Sequence, residues 1–412
     1  MKKKFKTGSF GYGIVCGLLF AAVLFSVVAC SFPDNENQII DITQGAKQPS
    51  SDIDQDACLI KIEKIKGLLE KYYMDGIDYD KAMEGIYAGF VNSLGDPYTV
   101  YFSAEDYQSF AESTNGNYAG IGSTVTTNPE GNAELVKPFK DGPAYNAGLL
   151  PGDIIVSVDG ENVLGMDLDA IVTKMKGPAG TEVKIQIYRP SVNEYIDYTV
   201  VRGNVQVPTI EYEMLDNKIG YVIVTEFDQV TLDQYLEAID KLEADGMVGL
   251  IVDLRDNPGG MLTTVTGMLS RILPKGQLLV YTEDKYGQRD ELFSTTRAEV
   301  KVPIAILING NSASASEVFC GCLQDYGKAT LVGTKSFGKG IVQSLLPLGD
   351  GSALKVTTSK YYSPKGRNIH GVGFEPDILV ELDPELKTLA SIPKEKDNQL
   401  QAAVKCIMDQ LN

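Results

Sequence analysis

At 412 residues the chain is longer than one ordinary core of about 150 residues, so several domains are expected. A composition of 43% hydrophobic and 22% charged residues is enough to build a packed interior and excludes a largely disordered protein. The formal net charge of -18 excludes a nucleic-acid partner, because an acidic surface has no counterion-release route to a phosphate backbone.

The N-terminus places Lys2, Lys3, Lys4 and Lys6 before an apolar run from Ile14 to Ala29, the pattern of an export signal. Its end, Val27-Val28-Ala29-Cys30, resembles the site where bacterial lipoproteins are cleaved and acylated, which makes Cys30 the lipidation candidate. The stretch from Phe10 to Ala29 is also long enough to stay in a bilayer as an uncleaved anchor. Residues 1–29 are therefore read as signal peptide or signal anchor and 30–55 as a polar linker. Both readings tether the body outside the cytoplasm, on the bacterial cytoplasmic membrane. With Cys16 and Cys30 assigned to the signal, the remaining cysteines, Cys58, Cys320, Cys322 and Cys406, lack a disulfide-framework spacing, and Cys320 and Cys322 lack partner histidines. Burial in a helix is expected for that pair, with no metal.

Residues 56–116 read as a helical N-terminal region, with Ile60, Leu68, Leu69, Tyr72 and Tyr73, then Ala82, Ile86, Phe90 and Val91, near helical spacing. Gly95-Asp96-Pro97 interrupts that pattern. Residues 117–204 change to short strands, at 120–125, 134–139 and 153–160, with a tight turn at Asp159-Gly160 and one helix over Asp167 to Met175. From 205 to 385 strands alternate with helices: strands at 221–227, 250–256 and 304–310, helices over Leu232 to Leu242, Leu262 to Ile272 and Ala315 to Tyr326. Near-continuous apolar strands of this kind predict a buried, largely parallel sheet with its reactive site at the strand C-termini. Residues 386–412 form a C-terminal helical tail. The fold class is multidomain α+β.

The β-rich segment resembles a PDZ domain, most specifically in Gly142-Pro143-Ala144 followed by Gly148-Leu149-Leu150-Pro151-Gly152-Asp153. The resemblance implies that a peptide adds to a sheet edge while loop amides hold its terminal carboxylate. The matching loop is Tyr118-Ala119-Gly120-Ile121-Gly122, with Gly120, Ile121 and Gly122 as the peptide-binding candidates. Alone, those glycines are better accounted for by turn geometry than by ligand binding.

Two loops leave predicted strands and enter helices: Arg255-Asp256-Asn257-Pro258-Gly259-Gly260 and Asn311-Ser312-Ala313-Ser314-Ala315-Ser316-Glu317. Free amides and the positive helix end at both would stabilise an oxyanion. Taken alone, the three serines read as helix caps. A nucleophilic serine needs a base, and the single histidine, His370, sits in a turn-rich stretch without an acidic partner in a recognised spacing. A lysine is the other candidate, provided that desolvation or positive potential keeps it neutral. Lys339, in Lys335-Ser336-Phe337-Gly338-Lys339-Gly340, fits that requirement, with Phe337 available to exclude water. A strand over Ile341 to Pro347 would turn Lys339, Ile341 and Gln343 to one side, so that Gln343 orients the lysine. A surface lysine and a surface glutamine remain the plain alternative.

These residues resemble the carboxyl-terminal processing, or tail-specific, serine protease family. The resemblance rests on Ser-Ala-Ser-Ala-Ser-Glu, a lysine 25 residues after the middle serine in Phe-Gly-Lys-Gly, and a glutamine four residues later. The order of parts matches as well, including Leu94-Gly95-Asp96-Pro97-Tyr98-Thr99 ahead of the PDZ module. It implies a small helical N-terminal region, a PDZ-like module and an α/β (crotonase/ClpP-like) protease core. It also implies Ser314 as nucleophile, Lys339 as general base, Gln343 as the lysine's positioner, and an oxyanion hole from Ala315 and either Gly259 or Gly260. No cofactor is implied. The expected substrates are extracytoplasmic proteins with exposed apolar C-termini, cleaved near those ends, and an activating or inhibiting partner protein and a homodimer stay open. The rival readings are a non-catalytic PDZ scaffold at the membrane surface and a protease dependent on His370.

Overall fold

The computed structural model describes residues 52–295, 299–387 and 392–412. The export segment and Cys30 lie outside the described residues, among which no helix is long and apolar enough to cross a membrane. Contacts divide the chain into two units, ending and beginning at Ile77 and Asp78. In the first, helix α1 (Gln55–Tyr72) starts at Asp54, whose carboxylate accepts from the Ala57 amide, and none of its residues is buried.

The second unit opens with α2 (Tyr79–Asn92), a short strand β1 (Val100–Phe102) and α3 (Ala104–Asn115), which ends on Gly116 in the left-handed conformation. Sequence periodicity gives helix on both sides of an interruption at Gly95-Asp96-Pro97; the structure adds β1 just after it, which pairs antiparallel with residues 353–355 far along the chain.

The next elements are β2 (Asn117–Gly120), β3 (Ser123–Thr127), β4 (Ala133–Pro138), α4 (Pro143–Ala147), β5 (Ile154–Val158), β6 (Glu161–Asn162), α5 (Leu168–Met175), β7 (Glu182–Arg189), β8 (Glu194–Val201) and β9 (Gly203–Gln206). The order β3-β4-β5-β7-β8 forms one sheet, and β2 pairs with β9. Its core joins Leu135, Ile155, Ile171, Val183 and Ile187. The single strand expected over 120–125 is instead two, broken at Ile121-Gly122, where Gly122 has φ 72°. Asp153, fully buried, is paired with Arg189 at 2.7 Å and accepts from the Leu150 amide, which fixes the Leu-Pro-Gly-Asp turn.

The remaining elements are β10 (Ile210–Met214), β11 (Ile219–Val224), α6 (Thr231–Ala244), β12 (Gly249–Asp253), α7 (Leu262–Ile272), β13 (Leu278–Asp284), β14 (Arg289–Phe293), β15 (Ile304–Ile308), α8 (Ala315–Asp325), β16 (Ala329–Gly333), β17 (Ile341–Pro347), β18 (Ala353–Tyr362), β19 (Ile378–Leu379) and α9 (Asn398–Leu411). The central sheet runs β10-β11-β12-β15-β16-β19, parallel from β11 to β19 with β10 antiparallel at the edge. Strands β12 and β15 are buried along their whole length, as the apolar runs 250–252 and 304–308 require, with the buried Asp253 at the end of β12 paired to Arg255. Helices α6, α7 and α8 contribute Tyr235, Ile239, Met268 and Phe319 to one core. Helix α9 contributes Leu400, Ala403 and Ile407 to another, with Ile219, Ile251 and Leu307. A Cβ on Gly249 would lie 2.3 Å from Ile407, so glycine is what lets α9 seat on the sheet. Cys320 and Cys322 are fully buried in α8. A second sheet has the order β1-β18-β13-β14, with β17 on β18.

Candidate active site

Strands β12 and β15 are parallel neighbours, so the two loops that follow them emerge side by side. Asn257, fully buried, joins them: its carbonyl accepts from the Ala313 amide and Ser316 Oγ, both at 3.0 Å, and its Nδ2 donates to the Val224 carbonyl at 2.7 Å. Asp256 accepts from Asn309 Nδ2 and Asn311 Nδ2. Arg255 is paired with Asp253 at 2.6 Å and Asp397 at 2.8 Å, which ties the loop to the start of α9. Ser312 Oγ donates to the Leu254 carbonyl at 2.7 Å. Ser312 and Ser316 are therefore held by the facing loop, whereas Ser314 is the N-cap of α8, in a capping box with Glu317.

Ser314 sits at the start of α8 with φ 54° and ψ -113°, a backbone conformation that L-residues rarely adopt. Glu317 enforces it. This carboxylate, with no solvent exposure, accepts from the Ser314 amide (2.9 Å) and the Lys339 amide (2.8 Å) through Oε2, and from Ser336 Oγ (2.6 Å) and the Gly338 amide (2.7 Å) through Oε1. Burial raises its pKa above the ordinary carboxylate value despite those four donors. On the carbonyl side, the buried Tyr361 hydroxyl faces both the Ser314 carbonyl, at 3.1 Å, and the Lys339 carbonyl. The serine loop and the lysine loop are thus fastened to each other at amides and carbonyls alike.

Ser314, Ala315, Lys339, Gln343 and Gly260 line one cleft of about 370 Å³, with Met261, Val318 and Leu345 among its apolar walls. The Gly259 amide donates to Asn257 Oδ1 at 2.8 Å, whereas among the described residues the Gly260 amide has no acceptor. Ala315, as the first helical residue, has no acceptor a turn behind it. A Cβ on Gly259 would lie 2.8 Å from that of Ser314, which explains why the loop needs glycine beside the serine.

The Lys339 pKa is lowered, first by burial and then by the positive charge of Lys355, while Asp96 works in the opposite direction. Its ammonium lies 4.6 Å from the centre of the Tyr98 ring. No hydrogen bond joins Lys339 Nζ to Ser314 Oγ or to Gln343 among the described residues, and Gln343 Nε2 is buried without a partner. The alternation expected along β17 is interrupted by a register shift between Val342 and Gln343, so Ile341, Val342 and Gln343 all reach the cleft. Phe337, expected to exclude water, is 55% exposed and outside the cleft lining. His370 is exposed, and its backbone packs against Gly340, where a Cβ would lie 2.6 Å from the His370 nitrogen. Across the cleft, burial and then Glu226 push the Asp228 carboxyl up to about 7.

In the PDZ module the Ile121 and Gly122 carbonyls are used by Ala144 and Phe139. The Tyr118 hydroxyl faces the Ser123 and Gly122 amides, and its ring lies against Gly120, where a Cβ would come within 2.9 Å of Cε2. Sequence reading overlooked Glu317, Asn257, Tyr361 and Tyr98. Only Glu317 had a local signal, the Ser-x-x-Glu spacing of a helix start.

The family model described as peptidase family S41 matches residues 218–380, a PDZ domain model matches 138–189, and the activating protease CtpB N-terminal domain matches 18–106. Carboxy-terminal processing protease CtpB of Bacillus subtilis (strain 168) is 34% identical over 348 residues, covering 83% of this chain and 72% of its own. Carboxy-terminal processing protease CtpA of the same organism is 33% identical over 382 residues, covering 92% and 80%. A Bacteroides fragilis NCTC 9343 structure described as an S41 protease covers 82% of this chain and 93% of its own, with a TM-score of 0.53 at 20% identity, a likeness of fold alone.

Proposed function

This chain belongs to the S41 carboxy-terminal processing serine proteases with a PDZ domain, and from that premise we propose that Ser314 and Lys339 form its catalytic dyad. The observation that carries the proposal is the shared cleft, in which a serine on a strained helix start and a lysine with a lowered pKa are held by one buried carboxylate.

Neutral Lys339 Nζ takes the Ser314 hydroxyl proton as Oγ attacks the substrate carbonyl. The Ala315 amide and a glycine amide of the facing loop hold the tetrahedral oxyanion, and Gly260 is favoured because the Gly259 amide is already engaged. The lysine ammonium returns the proton to the leaving amine. Water then releases the acyl group by the same route. Reaction requires Nζ to turn from Tyr98 toward Ser314, and the unpartnered Gln343 amide supports a role in receiving it.

The PDZ module, in this reading, takes the apolar C-terminal tail of a protein substrate, with Gly120, Ile121 and Gly122 presenting amides to its carboxylate. The enzyme acts outside the cytoplasm, held to the membrane through Cys30 or an uncleaved anchor, on extracytoplasmic proteins cut near their C-termini. A serine-reactive fluorophosphonate tests the dyad. It should label Ser314 in the unaltered protein and far more slowly in Lys339→Ala; equal labelling rates would dismiss Lys339 as the base.

A further inference from the structure

The Leu-Gly-Asp-Pro-Tyr-Thr segment, residues 94–99, leads directly into strand β1. Its turn is tightly specified: Asp96 Oδ1 accepts from the Tyr98 amide at 3.0 Å, and Oδ2 accepts from Thr99 Oγ1 at 2.6 Å. Thr99 Oγ1 in turn accepts from the Thr357 amide at 3.1 Å, and Thr357 is the register partner of Gln343. One residue later, Val100 pairs with Lys355. The segment is therefore fastened to β18 directly opposite the strand that carries Gln343. This seat brings the half-buried Tyr98 ring beneath the Lys339 ammonium.

We infer that Tyr98 is a positioning residue for Lys339, its ring face holding the charged amine in the cleft and letting it go toward Ser314 when the proton leaves. An aromatic face attracts a cation through its quadrupole but has little hold on a neutral amine, so the contact is itself sensitive to the lysine's protonation. The inference rests on Lys339 being the base. The other charged or titratable groups around the amine are Lys355 on β18, Asp96 in the same turn, His370, which acts on the Asp96 charge, Asp228 across the cleft, and Glu317 with Tyr361 beneath the lysine backbone. Lys355 rests against Phe102 and Phe110, at 5.3 and 5.4 Å, so it does not compete for the Tyr98 face.

The test reads the amine without turnover. In the full chain carrying Ser314→Ala, the rate at which an amine-acylating reagent labels Lys339 is followed against pH by mass spectrometry, alone and with Tyr98→Phe or Tyr98→Leu. Tyr98→Phe keeps the ring and should leave the labelling midpoint in place. Tyr98→Leu keeps apolar cover but removes the quadrupole, and should lower the midpoint by about half a pH unit. A midpoint unmoved by Tyr98→Leu, or moved equally by both substitutions, would overturn the inference. Should Tyr98→Leu unfold, Tyr98→Met gives the same comparison. Full cleavage activity in Lys339→Ala would instead strike the dyad itself, so the two failures are distinguishable.

Discussion

Glu317 Oε2 lies 2.8 Å from the Lys339 amide nitrogen and accepts its hydrogen bond, and the same oxygen holds the Ser314 amide at 2.9 Å. A single buried carboxylate thus sets the separation of the two loops that carry the proposed nucleophile and base. Glu317→Gln puts an NH2 group where only donors point, leaving buried donors unsatisfied at about 1–3 kcal/mol. The expected result is a lower thermal midpoint and a kcat reduced at least about tenfold with little change in KM. Unchanged melting and turnover would show that the clamp is dispensable.

Lys339 acts only when neutral, so its pKa sets the acid limb of activity. Burial comes first in lowering that pKa, and the charge of Lys355 comes second. Removing a positive neighbour favours the ammonium form and raises the Lys339 pKa. Lys355→Met should therefore move the acid limb of kcat/KM upward by about half a unit, lowering activity near neutrality while sparing the alkaline plateau. A limb that stays in place would exclude this electrostatic coupling.

The two glycines of the facing loop should fail differently. A Cβ at Gly259 lies 2.8 Å from Ser314 Cβ, so Gly259→Ala displaces the nucleophile and should cut kcat about 100-fold or more. A Cβ at Gly260 lies 2.5 Å from the Phe227 carbonyl, within the core, so Gly260→Ala should show its effect in stability as well as rate. Parallel thermal melts and kinetics on the two variants separate these outcomes.

Tyr118 bears on the proposed tail site, because its hydroxyl faces the Gly122 amide, one of the three proposed to hold a peptide carboxylate, and the Ser123 amide beside it. Tyr118→Phe frees those amides and should tighten binding of a peptide with an apolar C-terminus about two- to tenfold. Calorimetry in a Ser314→Ala background measures it, with the C-terminally amidated peptide as control. Equal binding of acid and amide peptides would argue against carboxylate recognition at this loop.

Much of the scaffold was legible because its signals are local. Helix α7 and strand β17 have the bounds that the sequence predicts, and the serine loop does lead into α8. Strand β1 was hidden because three residues carry no periodicity, and its reason for being extended lies at residues 353–355. The break at Ile121-Gly122 and the register shift at Val342 were hidden for a similar reason: a one-residue irregularity within a strand leaves no mark on the residue pattern. In the site, the family resemblance, and not the residues taken alone, pointed to Ser314, Lys339 and Gln343, which share one cleft. The residues that hold them, Asn257, Tyr361 and Tyr98, act across separations that no local spacing encodes.

The most direct measurement compares cleavage of an unstructured protein with an apolar C-terminus by the unaltered enzyme, Ser314→Ala, Lys339→Ala and His370→Asn, each checked for folding. The account predicts that the unaltered enzyme and His370→Asn cleave alike while both dyad substitutions abolish cleavage. Retained cleavage in folded Lys339→Ala, or its loss in folded His370→Asn, would contradict it.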